Sequence, residues 1–224
     1  MKAKVLLSMA AMMVASSVML QAETELNLPS GVELSSTATF TSNYIFRGQS
    51  KTATRPAVGL TLDAEHESGV YAGLDGYNID SESASLQANY SVGFASELTD
   101  TIKYDVAVVY RDTLGSGTEN TLFNGEAEVE AEVEYATESF GDVSALVSYG
   151  TDSEELYYEV GLATTFGANV SYGSIENVGA FVGADYDVFA ISDYSLSVEL
   201  AYLMPEDDSA DEELEYALTL KKAF

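Results

Sequence analysis

Apolar and polar residues alternate along most of the chain, a period of two that is typical of β-strands rather than of helices. Such a strand places its apolar side chains on one face of a sheet and its polar side chains on the other. The alternation therefore predicts an all-β fold, an antiparallel transmembrane β-barrel of about 12 strands with spans of ~9–11 residues. The predicted strands are 32–46, 58–66, 70–77, 84–94, 102–111, 126–135, 143–149, 156–166, 170–174, 180–188, 194–203 and 214–224.

The connections between these strands alternate in length. The long connections are rich in Gly, Ser, Thr and acidic residues, and segment 175–179 is barely longer than the turns. Outer-membrane barrels have short turns at one rim and longer loops at the other, whereas a soluble β-sandwich has no reason to keep that order. The short connections are 67–69, 96–100, 137–142, 167–168 and 191–193, and the long ones include 47–56, 112–124, 150–155 and 205–213.

Segment 124–135 contains good helix formers, but its charge pattern favours a strand. In a helix, Glu126, Glu130 and Glu134 would stack like charges four residues apart. In a strand, five carboxylates project to one face and apolar side chains to the other, as expected between a wet lumen and lipid. The candidate pore-lining residues are Glu126, Glu128, Glu130, Glu132 and Glu134.

The chain ends in an alternating strand whose last residue is Phe224. Tyr216, Leu218, Leu220 and Phe224 share one face, and this ending resembles the signal that outer-membrane proteins present to the barrel-assembly machinery. Lys222 departs from the pattern, in which an apolar residue is usual. The 15 Tyr and 9 Phe lie mostly near strand ends, which suits a membrane boundary but also fits the aromatic preference of any β-sheet.

The first residues have the order of a secretory signal peptide, with Lys2 and Lys4 followed by an apolar run and the small residue Ala22. The alternative is a membrane anchor, which the run is too short to form. We expect residues 1–22 to be removed and residues 23–224 to form the barrel. Cleavage would take two of 9 basic residues, so 7 would face 37 acidic ones and the net charge would change from -28 to -30.

Composition removes several functional classes. So acidic a chain is poorly suited to bind nucleic acid, because that binding depends on Lys and Arg that neutralise phosphates. The chain has no Cys, so disulfides, thiolate metal sites and cysteine nucleophiles are excluded. Neither a metal site nor a cofactor is expected. His66 next to Ser68 lacks the Gly-x-Ser-x-Gly context of a hydrolase, so no catalytic residue and no enzymatic activity are predicted.

The sequence Ser-Asn-Tyr-Ile-Phe-Arg-Gly at 42–48, within segment 39–52, resembles the opening of the TorF family. Segments 56–60 and 67–73 extend the similarity over about the first third of the mature chain. Members of that family are regarded as outer-membrane barrels of Gram-negative bacteria with a pore role. The resemblance implies this fold and location, and it carries no catalytic residue, substrate or cofactor.

Three of the basic residues, Arg47, Lys51 and Arg55, lie in the first long connection. They are candidates for a constriction that faces acidic strands, or for contacts with lipid phosphates at the outer rim. The alternative is a solvated loop whose charges pair with nearby acids. Segment 205–213, with six acidic residues, is expected to be a solvated loop, or else to bind lipopolysaccharide through divalent cations.

The glutamate strand predicts a cation-preferring pore, since carboxylates attract cations and repel anions. Binding of Ca²⁺ is the alternative, but one strand places its carboxylates too far apart for a calcium cage. The simpler interpretation is a water-filled interior without selective transport.

The overall prediction is an outer-membrane channel for small solutes that contacts lipids and lipopolysaccharide. The competing prediction is a non-conducting barrel with a structural or surface-interaction role, and a secreted β-sandwich is a third.

Overall fold

A computed structural model describes residues 29–81, 84–115, 125–137, 139–207 and 212–224. The predicted signal peptide, residues 1–22, lies outside these ranges. The described chain contains the strands β1 (Val32–Thr41), β2 (Ile45–Phe46), β3 (Gln49–Ser50), β4 (Ala57–His66), β5 (Val70–Asn78), β6 (Leu86–Thr99), β7 (Ile102–Leu114), β8 (Glu126–Thr137), β9 (Gly141–Gly150), β10 (Leu156–Thr164), β11 (Ala168–Ile175), β12 (Gly179–Ile191), β13 (Tyr194–Pro205) and β14 (Glu213–Ala223).

Twelve of these strands form a closed antiparallel barrel, which confirms the predicted fold class. Each strand from β4 to β14 pairs with the next, and β1 closes the barrel by pairing with both β4 and β14. Closure is completed at the chain end, where the Phe224 amide donates to the Ser36 carbonyl over 2.9 Å. A closed barrel leaves none of its strands with an unpaired edge.

The two faces of the wall differ as the alternation predicted. On β8, the outward side chains of Val129, Val133 and Tyr135 are 47%, 49% and 51% exposed, whereas Glu128 on the inner face is 6% exposed. The large exposed apolar side chains of the wall lie on the ten consecutive strands from β5 to β14. The short connections meet at one rim, where the barrel chain also begins and ends, and the longer loops meet at the other.

Several predicted boundaries were wrong. The first strand ends at Thr41 instead of Phe46, because the chain then leaves the wall and forms the small β2–β3 hairpin. Strand β6 continues to Thr99 through residues that were predicted to be a turn, and β7 and β12 are longer than predicted. The extra residues of β6 are accommodated by an irregularity between Glu97 and Thr99. A period of two locates a strand, but it does not show where the chain departs from the sheet.

Candidate functional site

The first loop, residues 42–56, folds into the barrel, and we call it the inward loop. Asn43 fixes its base, since the Asn43 side-chain amide donates to the Glu215 carboxylate over 2.7 Å. The side-chain oxygen Oδ1 of Asn43 accepts hydrogen bonds from the hydroxyls of Ser50 and Thr52, at 2.7 and 3.1 Å. Asn43 is 3% exposed and Thr52 is 1% exposed. One asparagine therefore ties both arms of the loop to the inner face of β14.

Apolar side chains give the inward loop a surface to pack on. Tyr157, Ile175, Phe181 and Leu203 form a buried cluster on the inner faces of β10 to β13. Gly48 lies directly against Phe181, because a Cβ added at Gly48 would be 2.6 Å from the Phe181 Cβ. Gly48 also has a positive φ of 77°. This position therefore requires glycine for two reasons, space and backbone conformation.

Arg47, at the tip of the inward loop, reaches β8. Its guanidinium donates to both oxygens of the Glu128 carboxylate, with Nη1–Oε1 at 3.3 Å and Nη2–Oε2 at 2.5 Å. Nη2 also lies 3.4 Å from the Glu130 carboxylate and 3.4 Å from the Ser148 hydroxyl. A two-point contact of this kind fixes the orientation of the arginine as well as its position.

A second arginine, Arg111 on β7, binds the same two carboxylates. Arg111 Nε donates to Glu128 over 2.9 Å, and Nη2 donates to Glu130 over 2.6 Å. Both guanidinium carbons lie 4.9 Å from the centre of the Phe46 ring, and that of Arg47 lies 4.1 Å from the Tyr157 ring. We call Arg47, Arg111, Glu128 and Glu130 the charge cluster. Two positive and two negative groups make it neutral overall.

The five glutamates predicted to line a pore all belong to the inner face of β8, but they differ in surroundings. Glu126 accepts hydrogen bonds from the amides of Asp152 and Ser153 in the β9–β10 loop. Glu128 and Glu130 belong to the charge cluster, and Glu134 forms a 3.4 Å ion pair with Lys103. Glu132 faces Asp105 across the β7–β8 pair. Their role as pore-lining residues stays a prediction.

Lys51 and Arg55 do not join Arg47. The Lys51 ammonium donates to the Gln49 side chain over 2.8 Å, and it lies 5.8 Å from the Phe46 ring centre. Burial lowers the pKa of Lys51, and the nearby positive charge of Arg47 lowers it further. Arg55 pairs with Asp80 at the long-loop rim, where its side chain is 52% exposed. The inward loop thus directs one basic residue to β8, keeps one in its own interior and leaves one at the rim.

A cavity of about 470 Å³ lies on the other side of the lumen. Tyr44 and Ile45 of the inward loop line it together with β1, β5 and the strands β11 to β14. Tyr44 stacks on Tyr77 of β5, with ring centres 4.3 Å apart and planes at 10°. The charged residues that line the cavity are Asp185, Asp187, Glu199 and Lys221.

Other predicted sites have simpler surroundings. His66 Nδ1 accepts from the Ser68 amide and lies 2.8 Å from the Ser68 hydroxyl, so this pair serves the β4–β5 turn. Of segment 205–213, residues 208–211 lie outside the described ranges. Within those ranges no group of three or more metal-ligating side chains is assembled.

At the chain end, Tyr216, Leu218 and Leu220 are exposed on the outer wall, and Lys222 Nζ lies 4.2 Å from the Phe224 ring centre.

A family model described as a bacterial protein of unknown function, Gcw_chp, matches residues 25–218. The chain belongs to the Gcw_chp family. The match covers β1 to β13 and the first part of β14, and it does not test the expected TorF name. No curated protein sequence matches the chain significantly. Considering only the residues described, no helix has the length and apolarity to cross a membrane.

Solved structures resemble this member of the Gcw_chp family in fold. The KdgM porin in complex with disordered oligogalacturonate is 7% identical, with a TM-score of 0.59 over 86% of this chain and 99% of that chain. A second KdgM porin structure is 8% identical, with a TM-score of 0.57 over 85% and 99%. The NanC porin is 10% identical, with a TM-score of 0.53 over 86% and 99%. Identities this low establish the shared barrel fold alone.

Sequence reasoning missed three contributors to this region of the Gcw_chp chain. Arg111 could have been assigned to the inner face from sequence, because a period of two through β7 puts it on the same face as Asp105 and Lys103. Asn43 occurs in the quoted motif, but no local pattern indicates that it binds Glu215, 172 residues away. The apolar cluster around Phe181 was not predicted for a different reason, since the whole inner face was expected to be polar and in contact with water.

Proposed function

We propose that this chain is a channel of the bacterial outer membrane that lets small hydrophilic solutes diffuse passively, with a preference for cations. The observation that carries the proposal is a closed barrel with an apolar outer face and a polar, charged inner face. So extensive an apolar surface would be costly in water and suits a lipid environment. In a membrane, closed barrels satisfy all backbone hydrogen bonds between their strands.

The similar solved structures support the same function, since three of them are porins by name. The inward loop is compatible with a channel, because a loop that enters the lumen narrows the pore while the cavity beside it remains. Location in the outer membrane is also supported by the signal-peptide pattern of residues 1–22.

The preference for cations rests on inner-face carboxylates that have no arginine or lysine within ion-pair distance in the described ranges. Such carboxylates attract cations into a water-filled passage and repel anions. They include Asp63, Asp75, Asp105, Glu132, Glu159, Asp185 and Glu199.

Conductance of the refolded protein in planar bilayers under a KCl gradient tests the proposal. We expect discrete channels whose reversal potential has the sign of a K⁺-selective pore, while heat-denatured protein gives none. A reversal potential of the opposite sign would contradict the cation preference. The absence of channels from protein with the heat-modifiable gel mobility of a folded barrel would contradict the channel itself.

The bonds that hold the inward loop across the lumen favour one competing function, a non-conducting barrel that interacts through its surface loops. If it holds, liposomes containing the protein do not swell in sugar solutions, and shortening the described 151–155 loop changes cell adhesion or envelope stability. Swelling that depends on solute size would reject this alternative.

A further inference from the structure

The inward loop makes different contacts on the two sides of the lumen. Toward β7 and β8 it contributes Arg47, which pairs with the inner-face carboxylates of Glu128 and Glu130, and Phe46, whose ring lies against the guanidinium of Arg111. Together with Arg111, these contacts neutralise that part of the wall. Toward β12 to β14 it presents Tyr44 and Ile45 and leaves a cavity. Two of the five glutamates that first indicated a cation pathway, Glu128 and Glu130, are therefore neutralised by Arg47 of the loop together with Arg111.

The wall beside the cavity carries three acidic side chains, those of Asp185, Asp187 and Glu199. Asp185 and Glu199 are direct cross-strand partners on the inner faces of β12 and β13. Like charges directly opposite each other destabilise a sheet. Neither residue forms an ion pair within the described part of the chain, although Asn169 donates to Asp185 over 2.7 Å. A costly pair of carboxylates that faces an open, polar cavity is understandable if mobile cations reside there.

We infer that permeating cations pass along the wall formed by β12, β13 and β14, and that Asp185 and Glu199 determine the charge selectivity of the pore. This inference rests on the proposed channel function and assigns its selectivity to specific residues. Asp187 and the hydroxyls of Ser197 and Thr219 extend the same polar wall. Lys221 is the basic residue among those that line the cavity. Its positive charge counteracts the negative charges of the carboxylates.

The barrel contains a matched control for this pair. Asp105 and Glu132 are also an Asp–Glu cross-strand pair on the inner face, but they belong to β7 and β8 and do not line the cavity. Asp185 and Glu132 each lie six residues beyond the first residue of their strand at the long-loop rim. Comparing Asp185→Asn/Glu199→Gln with Asp105→Asn/Glu132→Gln therefore varies the side of the lumen while charge and depth are kept similar.

The measurement is the K⁺/Cl⁻ permeability ratio from reversal potentials, with each variant first shown to have heat-modifiable mobility. We expect Asp185→Asn/Glu199→Gln to lower the ratio by roughly twofold or more, and Asp105→Asn/Glu132→Gln to change it much less. Lys221→Gln should raise the ratio, whereas Lys103→Gln on β7 should leave it nearly unchanged. An equal or larger effect of the β7–β8 variant would overturn the inference, while a wild-type protein that forms no channels would overturn the proposed function itself.

Accessibility provides a second test that does not depend on removing charge. The chain has no Cys, so single cysteines can be labelled cleanly. Ser197 on β13 and Ser144 on β9 face inward, each three residues beyond the start of its strand at the short-turn rim. A cationic thiol reagent should reduce the conductance of Ser197→Cys more than that of Ser144→Cys. The reverse order would place the pathway on the other side and overturn the inference.

Discussion

The Arg47 guanidinium binds the Glu128 carboxylate through both of its oxygens, although the two residues are 81 positions apart in the sequence. Their side chains are 14% and 9% exposed, so the pair is largely shielded from water. The contact joins the tip of the inward loop to the opposite wall of the barrel. It is therefore both a structural link and a determinant of the shape of the barrel interior.

Replacing Arg47 should release the tip of the inward loop. Arg47→Ala leaves Glu128 with Arg111 as its cationic partner in a site that is shielded from water. We expect a loss of about 2 kcal/mol in the free energy of unfolding. Channel recordings should also become noisier, because the loop is no longer fixed to β8. Urea unfolding in lipid vesicles measures the first effect and planar-bilayer recording the second.

Arg55→Ala is the matched control for that prediction. Arg55 belongs to the same loop and carries the same charge, but its partner Asp80 lies at the rim and the arginine is half exposed. Exposed pairs contribute roughly 0–1 kcal/mol, so this variant should unfold almost like the wild type. If Arg55→Ala cost as much as Arg47→Ala, the bond between Arg47 and Glu128 would have no special structural role.

Gly48→Ala should disturb the same loop from its other side. The new methyl group would meet Phe181, and the positive φ would disfavour any residue with a Cβ, so we expect a cost of about 1–3 kcal/mol. The inward loop should then become more sensitive to protease in folded protein. Gly76→Ala on β5 is the control, because the added Cβ there has 3.5 Å to its nearest neighbour. Equal protease sensitivity of the two variants would show that Gly48 does not hold the loop in place.

The barrel and its charge pattern could be predicted from sequence because both arise from local alternation. Five glutamates in alternate positions on β8 suffice to identify the inner face, without reference to any other strand. The path of the inward loop could not be predicted in this way. Ile45 and Phe46 continue the alternation of the first strand, yet they leave the wall in a small hairpin. Contacts distant in sequence hold that hairpin in the lumen, including those of Phe46 with Arg111 and of Arg47 with Glu128.

The same limit explains why the glutamates were first seen as one uniform acidic face. Sequence placed Glu128 and Glu130 on the inner face, but their charge depends on Arg47 and Arg111 from two other parts of the barrel. Closure of the barrel brings these groups together. The distribution of charge in the lumen is therefore a property of the folded barrel and cannot be read from one strand.

The lowered pKa of Lys51 predicts that the stability of the protein depends on pH. Burial and Arg47 lower the pKa of its ammonium in the folded protein, so between the folded and unfolded pKa values the unfolded chain binds more protons. Stability from this group therefore increases as pH rises toward the ordinary lysine value of about 10.4. We expect wild type to gain stability relative to Lys51→Met between about pH 7 and about pH 9.5.

Urea unfolding at both pH values checks this prediction. Burial raises the pKa of the neighbouring Tyr44 phenol, but Tyr44 is present in both proteins and its contribution cancels in the comparison. A difference between wild type and Lys51→Met that stayed constant or changed in the opposite direction would show that Lys51 is not buried as a charged group.

The terminal Phe224 should influence assembly more than final stability. Its backbone bonds to Ser36 do not depend on the ring, so Phe224→Ala keeps the barrel closure. If the ring is part of the signal read by the barrel-assembly machinery, the variant should fold more slowly in proteoliposomes that contain the machinery, but normally in detergent. Phe189→Ala removes an aromatic ring from the outer wall of β12, where Phe189 is 38% exposed, and serves as the control. Equal slowing of both variants would attribute the effect to lost apolar surface, whereas slowing of Phe224→Ala alone would assign the signal to the chain end.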